Sequence, residues 1–257
     1  MPTLLAILAH PDDESYSFGG TLALASQAGW RCFVLSVTSG EGGKRHDGGP
    51  GGQVQVGLAR ERELTTSCSL LGVQPPEFWR LPDGHLREQA PQTVRLGSVI
   101  ETQRPDFIFS LGPDGAYGHP DHIAVFQWLM EAWRSASTPR PSLLLAAFPR
   151  GLFLPQYRKC LSMMGRPPSP AASEIGSTAW QYEVPITTVA PTKLASLAAH
   201  RSQLPGGDSE ALFPPGIVSS LLEVERFSDA RATTNEAVAS LLGSLSGEPR
   251  GSHRVTG

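Results

Sequence analysis

The sequence predicts an α/β fold built on a mostly parallel sheet, and three observations predict it. Short, near-continuous apolar runs such as Thr3–Ala9 suit strands buried on both faces. Helix-length stretches separate these runs, in the order β-α-β-α-β-α-β-α-β through Ala147. That alternation favours parallel strands joined by right-handed crossovers. Two polar clusters, His10–Glu14 and His119–His122, lie in the loops that follow apolar runs, where such sheets carry their sites.

Each element has its own reason. Thr3–Ala9 is the first strand. Phe18–Ala28 reads as a helix, opened by Gly19-Gly20 and stopped by Gly29. Cys32–Val37 is a second buried strand, and it runs into the polar, Gly-rich loop Thr38–Gly52. Val56–Leu71 is a helix with apolar Val56, Leu64, Leu70 and Leu71 and the charged stretch Arg60-Glu61-Arg62-Glu63; Gly72 closes it. Glu77–Leu81 is a short strand, Pro91–Gln103 a helix, Asp106–Leu111 a further buried strand, Ile123–Arg134 a helix and Leu143–Ala147 a strand.

Beyond residue 150 the pattern is less regular. Arg166–Ser173 is rich in Pro, Ser and Ala and reads as a flexible loop. Glu183–Val189 reads as a strand, Thr192–Gln203 as a helix and Leu204–Pro215 as a mobile segment. The domain expectation is therefore one α/β unit over 1–242. Residues 1–147 form the core sheet and site, and 148–242 complete or cap it. Residues 243–257 are polar and rich in Gly and Ser, and read as a disordered tail.

The chain of 257 residues is long enough to bury a substantial core. A net charge of −3 with 18% charged residues gives no reason to expect nucleic acid or an anionic membrane as partner. Cys32, Cys68 and Cys160 form no paired framework and suit buried thiols in a reducing cytoplasm. No signal peptide is evident, and the apolar runs fall short of the ~20 residues that span a bilayer. These features predict a soluble cytoplasmic protein, with its oligomeric state open.

The two clusters carry the chemistry. His10 and Asp13 sit three residues apart at a strand-to-helix turn, so both side chains can face one ion. His122 can complete a two-nitrogen, one-oxygen set. Three protein ligands with an open position are the pattern of a catalytic zinc site, whereas a structural site is closed by four, usually with Cys. Asp12 is then free to take a proton from an attacking water. His119 can protonate a leaving amine or stabilise an oxyanion as imidazolium. Asp121 can orient one imidazole through its N–H, His119 first. Taken alone, each cluster also reads as a capped loop, since Asp is a common N-cap and Pro favours the first helical turn.

The motifs resemble a known family. Ala9-His10-Pro11-Asp12-Asp13-Glu14 is followed by Gly19-Gly20-Thr21-Leu22-Ala23, Thr38-Ser39-Gly40-Glu41-Gly42, Arg60-Glu61-Arg62-Glu63-Leu64 and Tyr117-Gly118-His119-Pro120-Asp121-His122. In this order, over about half the chain, they resemble the LmbE/PIG-L superfamily of zinc-dependent N-acetylglucosaminyl deacetylases. His200-Arg201-Ser202-Gln203 is a weaker shared feature. The resemblance implies a Rossmann-like three-layer sandwich with a C-terminal cap. It implies an N-acetylglucosamine-type substrate and zinc, or Fe(II) in the cell, on His10, Asp13 and His122. It implies Asp12 as general base and His119 as acid or oxyanion partner. Tyr117 would assist the oxyanion, Arg60 would lie near the sugar or its substituent, and Asp83 would bind sugar.

Plainer roles stay open for these residues. Arg60 can be a helix-surface charge paired with Glu61 or Glu63, Asp83 a Pro-Asp-Gly turn residue, and Tyr117 a packing ring. Glu14 and Glu41 can brace the strand-end loops, while His46 and His85 read as loop residues and His253 as a tail residue.

Rival functions are each discriminated by one feature. A two-His, one-carboxylate set also serves non-haem Fe(II) oxygenases, but those sites sit in β-barrels and need no spare base or acid. A dinucleotide-binding module needs a Gly-rich turn after the first strand, where this chain carries three carboxylates. A serine hydrolase needs a Gly-x-Ser-x-Gly elbow, which does not occur. A non-catalytic sugar-binding protein is disfavoured because every presumed catalytic position is filled. An amidase of the same fold, acting on a thiol conjugate or a glycosylated natural product, is the nearest alternative.

Overall fold

The computed structural model describes residues 1–164 and 170–246. Five strands form the parallel part of one sheet: β1 (Thr3–Leu8), β2 (Arg31–Thr38), β3 (Glu77–Leu81), β4 (Phe107–Leu111) and β5 (Ser142–Ala146). The helices between them are α1 (Asp13–Gln27), α2 (Gln53–Leu71), α3 (Thr93–Gln103), the single turn α4 (Gly115–Gly118) and α5 (Pro120–Ser135). The strand order is β3-β2-β1-β4-β5-β7-β6. The chain winds outward one way from β1 and then returns beside it as β4. Leu4, Leu5 and Ala6 pair with Phe107, Ile108 and Phe109. A crevice at the carboxyl ends of β1 and β4 follows from that reversal, because the loops after these strands leave to opposite sides.

β1 shows why the apolar runs are continuous. Leu4, Ala6 and Leu8 belong to a core that includes Phe18, Leu22 and Leu64, whereas Leu5 and Ile7 belong to a second core with Leu96, Leu129 and Trp133. Alternate side chains enter opposite layers, so each position from Leu4 to Leu8 is apolar.

The second half completes the sheet. α6 (Leu154–Met164) is followed by β6 (Tyr182–Pro185), α7 (Ala190–Ala199), the single turn α8 (Ile217–Ser220), β7 (Val224–Asp229) and α9 (Glu236–Leu245). β7 pairs antiparallel with both β5 and β6. The sequence pattern does not reveal β7, and the reason is visible. Its inward residues are Glu225, Phe227 and Asp229, so two of the three core-facing positions are acidic. Glu225 is buried because it accepts the Gly20 and Thr21 N–H groups at 2.8 and 2.7 Å and the Lys193 ammonium at 2.7 Å.

Other boundaries also moved. The first helix starts at Asp13, five residues before the expected Phe18. Thr192–Gln203 divides into α7 and a 3-10 turn, Arg201–Gln203. Of the expected tail, residues 243–245 are helical, with Leu245 buried; residues 247–257 lie outside the described residues, as do residues 166–169 of the expected Arg166–Ser173 loop. Among the described residues, no helix is long and apolar enough to cross a membrane.

Gly20 shows how tightly the halves meet. A β-carbon there would lie 2.6 Å from the Ile186 side chain, so α1 reaches the second half only because this residue has no side chain. Gly20→Val is expected to lower stability by about 1–3 kcal/mol through overpacking. Denaturant unfolding should show part of that loss recovered by Ile186→Ala in the same chain; an unchanged midpoint for Gly20→Val would remove this contact from the account.

Candidate active site

Two turns build the site. After β1 the chain passes through His10, Pro11 and Asp12 and enters α1 at Asp13. Asp12 has φ 111° and ψ −23°, a conformation disfavoured by its β-carbon. Asp13 and Glu14 occupy the first turn of α1, where the helix dipole favours negative charge. After β4, Asp114 shapes the second turn: its carboxylate accepts the N–H groups of Ala116 (3.2 Å) and Gly176 (2.9 Å). α5 then starts with His119 as its N-cap and Pro120 in the first turn, and the Asp121 N–H donates to His119 Nδ1 at 3.2 Å. The capped-loop and the chemical readings of His-Pro-Asp-His are thus both true of the same residues, with His rather than Asp as the cap.

His10 Nδ1 lies 3.1 Å from His122 Nε2, and Asp13 places one oxygen 3.6 Å from the first and the other 3.2 Å from the second. The partners of the remaining ring nitrogens fix the tautomers. His122 Nδ1 lies 3.0 Å from the Gly115 carbonyl, which only accepts, so Nδ1 carries the proton and Nε2 presents a lone pair. His10 Nε2 lies 2.9 Å from Asp83 and 3.3 Å from Asp121, so it too is the donor, and in the neutral ring Nδ1 presents the lone pair. Two lone pairs and a carboxylate therefore face one another, an arrangement that calls for a cation. Ligands at ~2.0–2.1 Å around a tetrahedral zinc stand ~3.3 Å apart, which the observed separations match. The donor set fits a divalent metal.

The opposite side of His10 is already satisfied. His10, Asp83 and Asp121 also lie close enough to form a ligand group, as do His10, His119 and His122. Asp121, however, accepts the N–H groups of Gly84 (2.7 Å) and Leu86 (3.0 Å), and Asp83 accepts that of Gly42 (2.9 Å). These carboxylates orient His10 from behind. Asp121 was expected to orient His119; its carboxylate is aimed at His10 instead, and only its backbone N–H serves His119.

Charge in the site follows from burial and neighbours. Burial disfavours a charged His10, but Asp83, Asp121 and Asp13 outweigh it and raise its pKa well above the ordinary imidazole value. Burial also opposes ionisation of Asp13, yet His122 and His10 hold it well below the carboxylate range. Burial, with Asp13 adding to it and Arg60 opposing, pushes Asp12 up to about 6. Burial and then repulsion by His122 and His10 drive His119 well below the usual imidazole value. A neutral His119, with its Nδ1 lone pair tied to the Asp121 N–H, presents an Nε2–H donor. The imidazolium expected from the sequence is the form this environment disfavours.

The open pocket beside these groups measures about 280 Å³. Its wall includes His10, Asp12, Arg60, Asp83, Tyr117 and His119, with Gly42, Gly43, Gly84 and Gln203 completing it. Tyr117 packs against His122 and His119 and backs onto Phe153 and Phe213. Burial and the Asp13 charge keep its phenol protonated to well above pH 10. Arg60 is buried in α2, donating to the Gly40 carbonyl (2.9 Å), to the Pro11 carbonyl (2.5 Å) and to Asp12 Oδ2 (3.0 Å). Its partner is Asp12 rather than Glu61 or Glu63: Glu61 pairs with Arg80, and Glu63 accepts from Ser202. Gly40, with φ 67°, is needed here, since a side chain would collide with the Arg60 guanidinium.

Sequence reasoning missed Gln203 as a wall residue and gave His200 no role. His200 Nε2 lies 2.7 Å from Glu14 Oε1, both groups fully buried. The available signal was the His200-Arg201-Ser202-Gln203 motif, whose Gln203 reaches the pocket wall because the turn after α7 lies against α2.

Residues 5–133 match the family described as PIG-L, GlcNAc-PI de-N-acetylase. A 1D-myo-inositol 2-acetamido-2-deoxy-alpha-D-glucopyranoside deacetylase of Nakamurella multipartita is 31% identical, over 79% of this chain and 81% of its own. Among solved structures, the N,N'-diacetylchitobiose deacetylase of Pyrococcus horikoshii superposes with a TM-score of 0.61 at 22% identity, covering 90% of this chain and 84% of that one. The 4-carboxy-2-hydroxymuconate hydratase of Pseudomonas putida superposes at 0.62 with 18% identity over the full length of both chains. At such identities these superpositions establish a shared fold.

The carboxylates around His10 favour its protonated form, so a metal on Nδ1 must displace that proton to take the lone pair. Zinc affinity should therefore rise with pH until His10 deprotonates unaided, by about tenfold per pH unit for one displaced proton. Chelator competition at pH 6, 7 and 8 reads this slope, and a flat profile removes His10 from the ligand set. His122→Ala should also hold less zinc than wild type at equal free metal; equal content removes His122.

Proposed function

The chain belongs to the PIG-L family of de-N-acetylases, hydrolases of amide C–N bonds, and from that premise we propose that it removes the N-acetyl group from a glucosamine-containing small molecule. The products are acetate and a free amine. The observation that carries this reading is the convergence of the His10 and His122 lone pairs with Asp13 beside a pocket walled by Asp12 and His119. His10, Asp13 and His122 would hold the metal, zinc by their donor types. Bound there, zinc would bring the pKa of a water toward ~7 and polarise the amide carbonyl.

The chain's own residues do the rest. Asp12 accepts the proton of the attacking water, and the Arg60 guanidinium at 3.0 Å favours its ionised form. His119 donates its Nε2–H to the oxyanion that forms on the acetyl oxygen, a role a neutral imidazole can fill. Full proton donation from Nε2 would leave an anionic ring, so protonated Asp12 returns the proton to the departing nitrogen. Tyr117, also protonated, supplies a second donor on the same side. Asp83 acts from behind His10, and its contact with Nε2 would leave Nδ1 free to hold the metal. The Nakamurella multipartita relative named above, an inositol–glucosamine deacetylase, supports an inositol conjugate as the first substrate to try.

Two measurements test this reading. Release of acetate and free amine is measured with N-acetylglucosamine joined to inositol, malate, lipid-like or glycopeptide groups, before and after zinc is added. Metal-dependent release from one of them is expected; no release from any, with metal bound, rejects the amino-sugar class and turns the search to another amide. Asp12→Ala should keep its metal and lose ~10²–10⁴ of the rate, the usual worth of a general base. Activity within about tenfold of wild type rejects Asp12 as the base.

A further inference from the structure

Among the non-glycine residues that line the pocket, Asp12 is the one with a left-handed backbone, and such a residue persists only where its surroundings over-determine it. Its backbone N–H donates to Glu14 Oε2 at 3.0 Å. The other oxygen of Glu14 accepts from three donors: Ser67 Oγ at 2.5 Å, Ser15 Oγ at 2.6 Å and His200 Nε2 at 2.7 Å. Ser67 comes from α2, Ser15 from α1 and His200 from the end of α7. A further hydroxyl, Ser196 of α7, donates to Ser15 at 2.9 Å. Glu14 and His200 have no exposed side-chain surface, and neither belongs to the pocket wall.

Stability alone is a poor reason for this pair. A buried ion pair is often no better than apolar packing of the same volume. This one also leaves His200 Nδ1 without a partner among the described residues, a desolvation cost that an apolar residue would avoid. The return is orientation. Glu14 is clamped from three helices, and its free oxygen is delivered to a single target, the Asp12 N–H. The turn that supplies His200 is itself tied down: Ser202 donates through N–H (2.7 Å) and hydroxyl (2.6 Å) to Glu63, and its carbonyl accepts the His46 N–H at 2.7 Å.

We infer that Glu14 and His200 are positioning residues for Asp12. His200 holds Glu14, and Glu14 holds the Asp12 backbone in the left-handed conformation that aims its carboxylate into the pocket. This rests on the proposal that Asp12 is the base. The motif His200-Arg201-Ser202-Gln203 then has a physical purpose, with His200 setting the base, Ser202 anchoring the turn and Gln203 reaching the wall.

The test pairs kinetics with a measurement that needs no substrate. With the inositol–N-acetylglucosamine conjugate, His200→Leu should lower kcat by ~10–10²-fold, the scale of a small misplacement of a catalytic group, with KM and metal content unchanged. His200→Gln, which keeps an N–H donor, should recover kcat to within about fivefold of wild type. In an Asp12→Ala background, His200→Leu should cost less than about twofold more, because nothing remains to be positioned. In the metal-free protein, hydrogen exchange at the Asp12 amide should speed by at least about tenfold in His200→Leu and Glu14→Gln. Full additivity with Asp12→Ala, or unchanged exchange at that amide, overturns the inference. An active Asp12→Ala enzyme rejects Asp12 as base, and the exchange result then still decides whether the pair holds its backbone. If His200→Leu does not fold, Ser67→Ala removes another donor to the same oxygen and replaces it in both measurements.

Discussion

Negative charge buried where β1 turns into α1 is the constraint on which the rest of the molecule depends. Asp12, Asp13, Glu14, Asp83 and Asp121 gather there, none with more than 15% of its side chain exposed. Carboxylates taken out of water need partners or they do not stay ionised. Arg60 faces Asp12, His122 faces Asp13, His200 faces Glu14, and His10 lies between Asp13 on one side and Asp83 and Asp121 on the other. These partners arrive from α2, α5, the end of α7 and the β1 turn. The fold must close around the charge for the charge to exist, and the site is therefore assembled by folding itself.

Backbone donors divide the carboxylates by task. Asp121 and Asp83 are neutralised from behind by the N–H groups of Gly84, Leu86 and Gly42, and they hold His10 in one tautomer. Asp13 keeps lone pairs on the pocket side, between the two imidazoles. Asp12 is the carboxylate that reaches the pocket wall with a guanidinium beside it. Similar groups within a few ångströms acquire different roles because different partners claim their oxygens. The histidines divide in the same way. The Gly115 carbonyl and the Asp121 N–H bind Nδ1 of His122 and His119 with opposite polarity, leaving one ring a lone pair and the other a proton.

The parallel sheet places this chemistry but does not choose it. A deacetylase and a hydratase both superpose on the chain with TM-scores near those of one another, 0.61 and 0.62. A switch point between β1 and β4 offers any such chain a crevice, and the residues in the two turns decide what happens in it. In this chain the second half contributes from the side. It extends the sheet by β7 and β6, backs Tyr117 with Phe153 and Phe213, and sends Gln203 to the wall.

Much was legible in the sequence because it is local. Continuous apolar runs reveal strands buried on both faces, and β1 and β4 lie within a residue or two of their expected bounds. The spacing of His10, Asp12 and Asp13, and of His119 and His122, displays the reactive groups themselves. What was illegible depends on pairing between distant segments. β7 hid because Glu225 and Asp229 face inward, and an acidic inward residue makes sense only once Gly20, Thr21 and Lys193 are seen around it. Arg60 sits in a charged helical stretch that reads as surface until the approach of the Asp12 turn makes it interior. The direction of the Asp121 carboxylate, toward His10 rather than His119, is set by where the Asp83 turn lies. By itself, then, the sequence determined the α/β fold class and the candidate site groups, since periodicity and residue type are properties of neighbours along the chain. Only the tertiary structure decided which nitrogen carries a proton, which carboxylate faces the pocket and which charge holds another in place, because each depends on how a turn or a partner is placed in space, from the Gly115 carbonyl on His122 to His200 on Glu14, 186 residues apart.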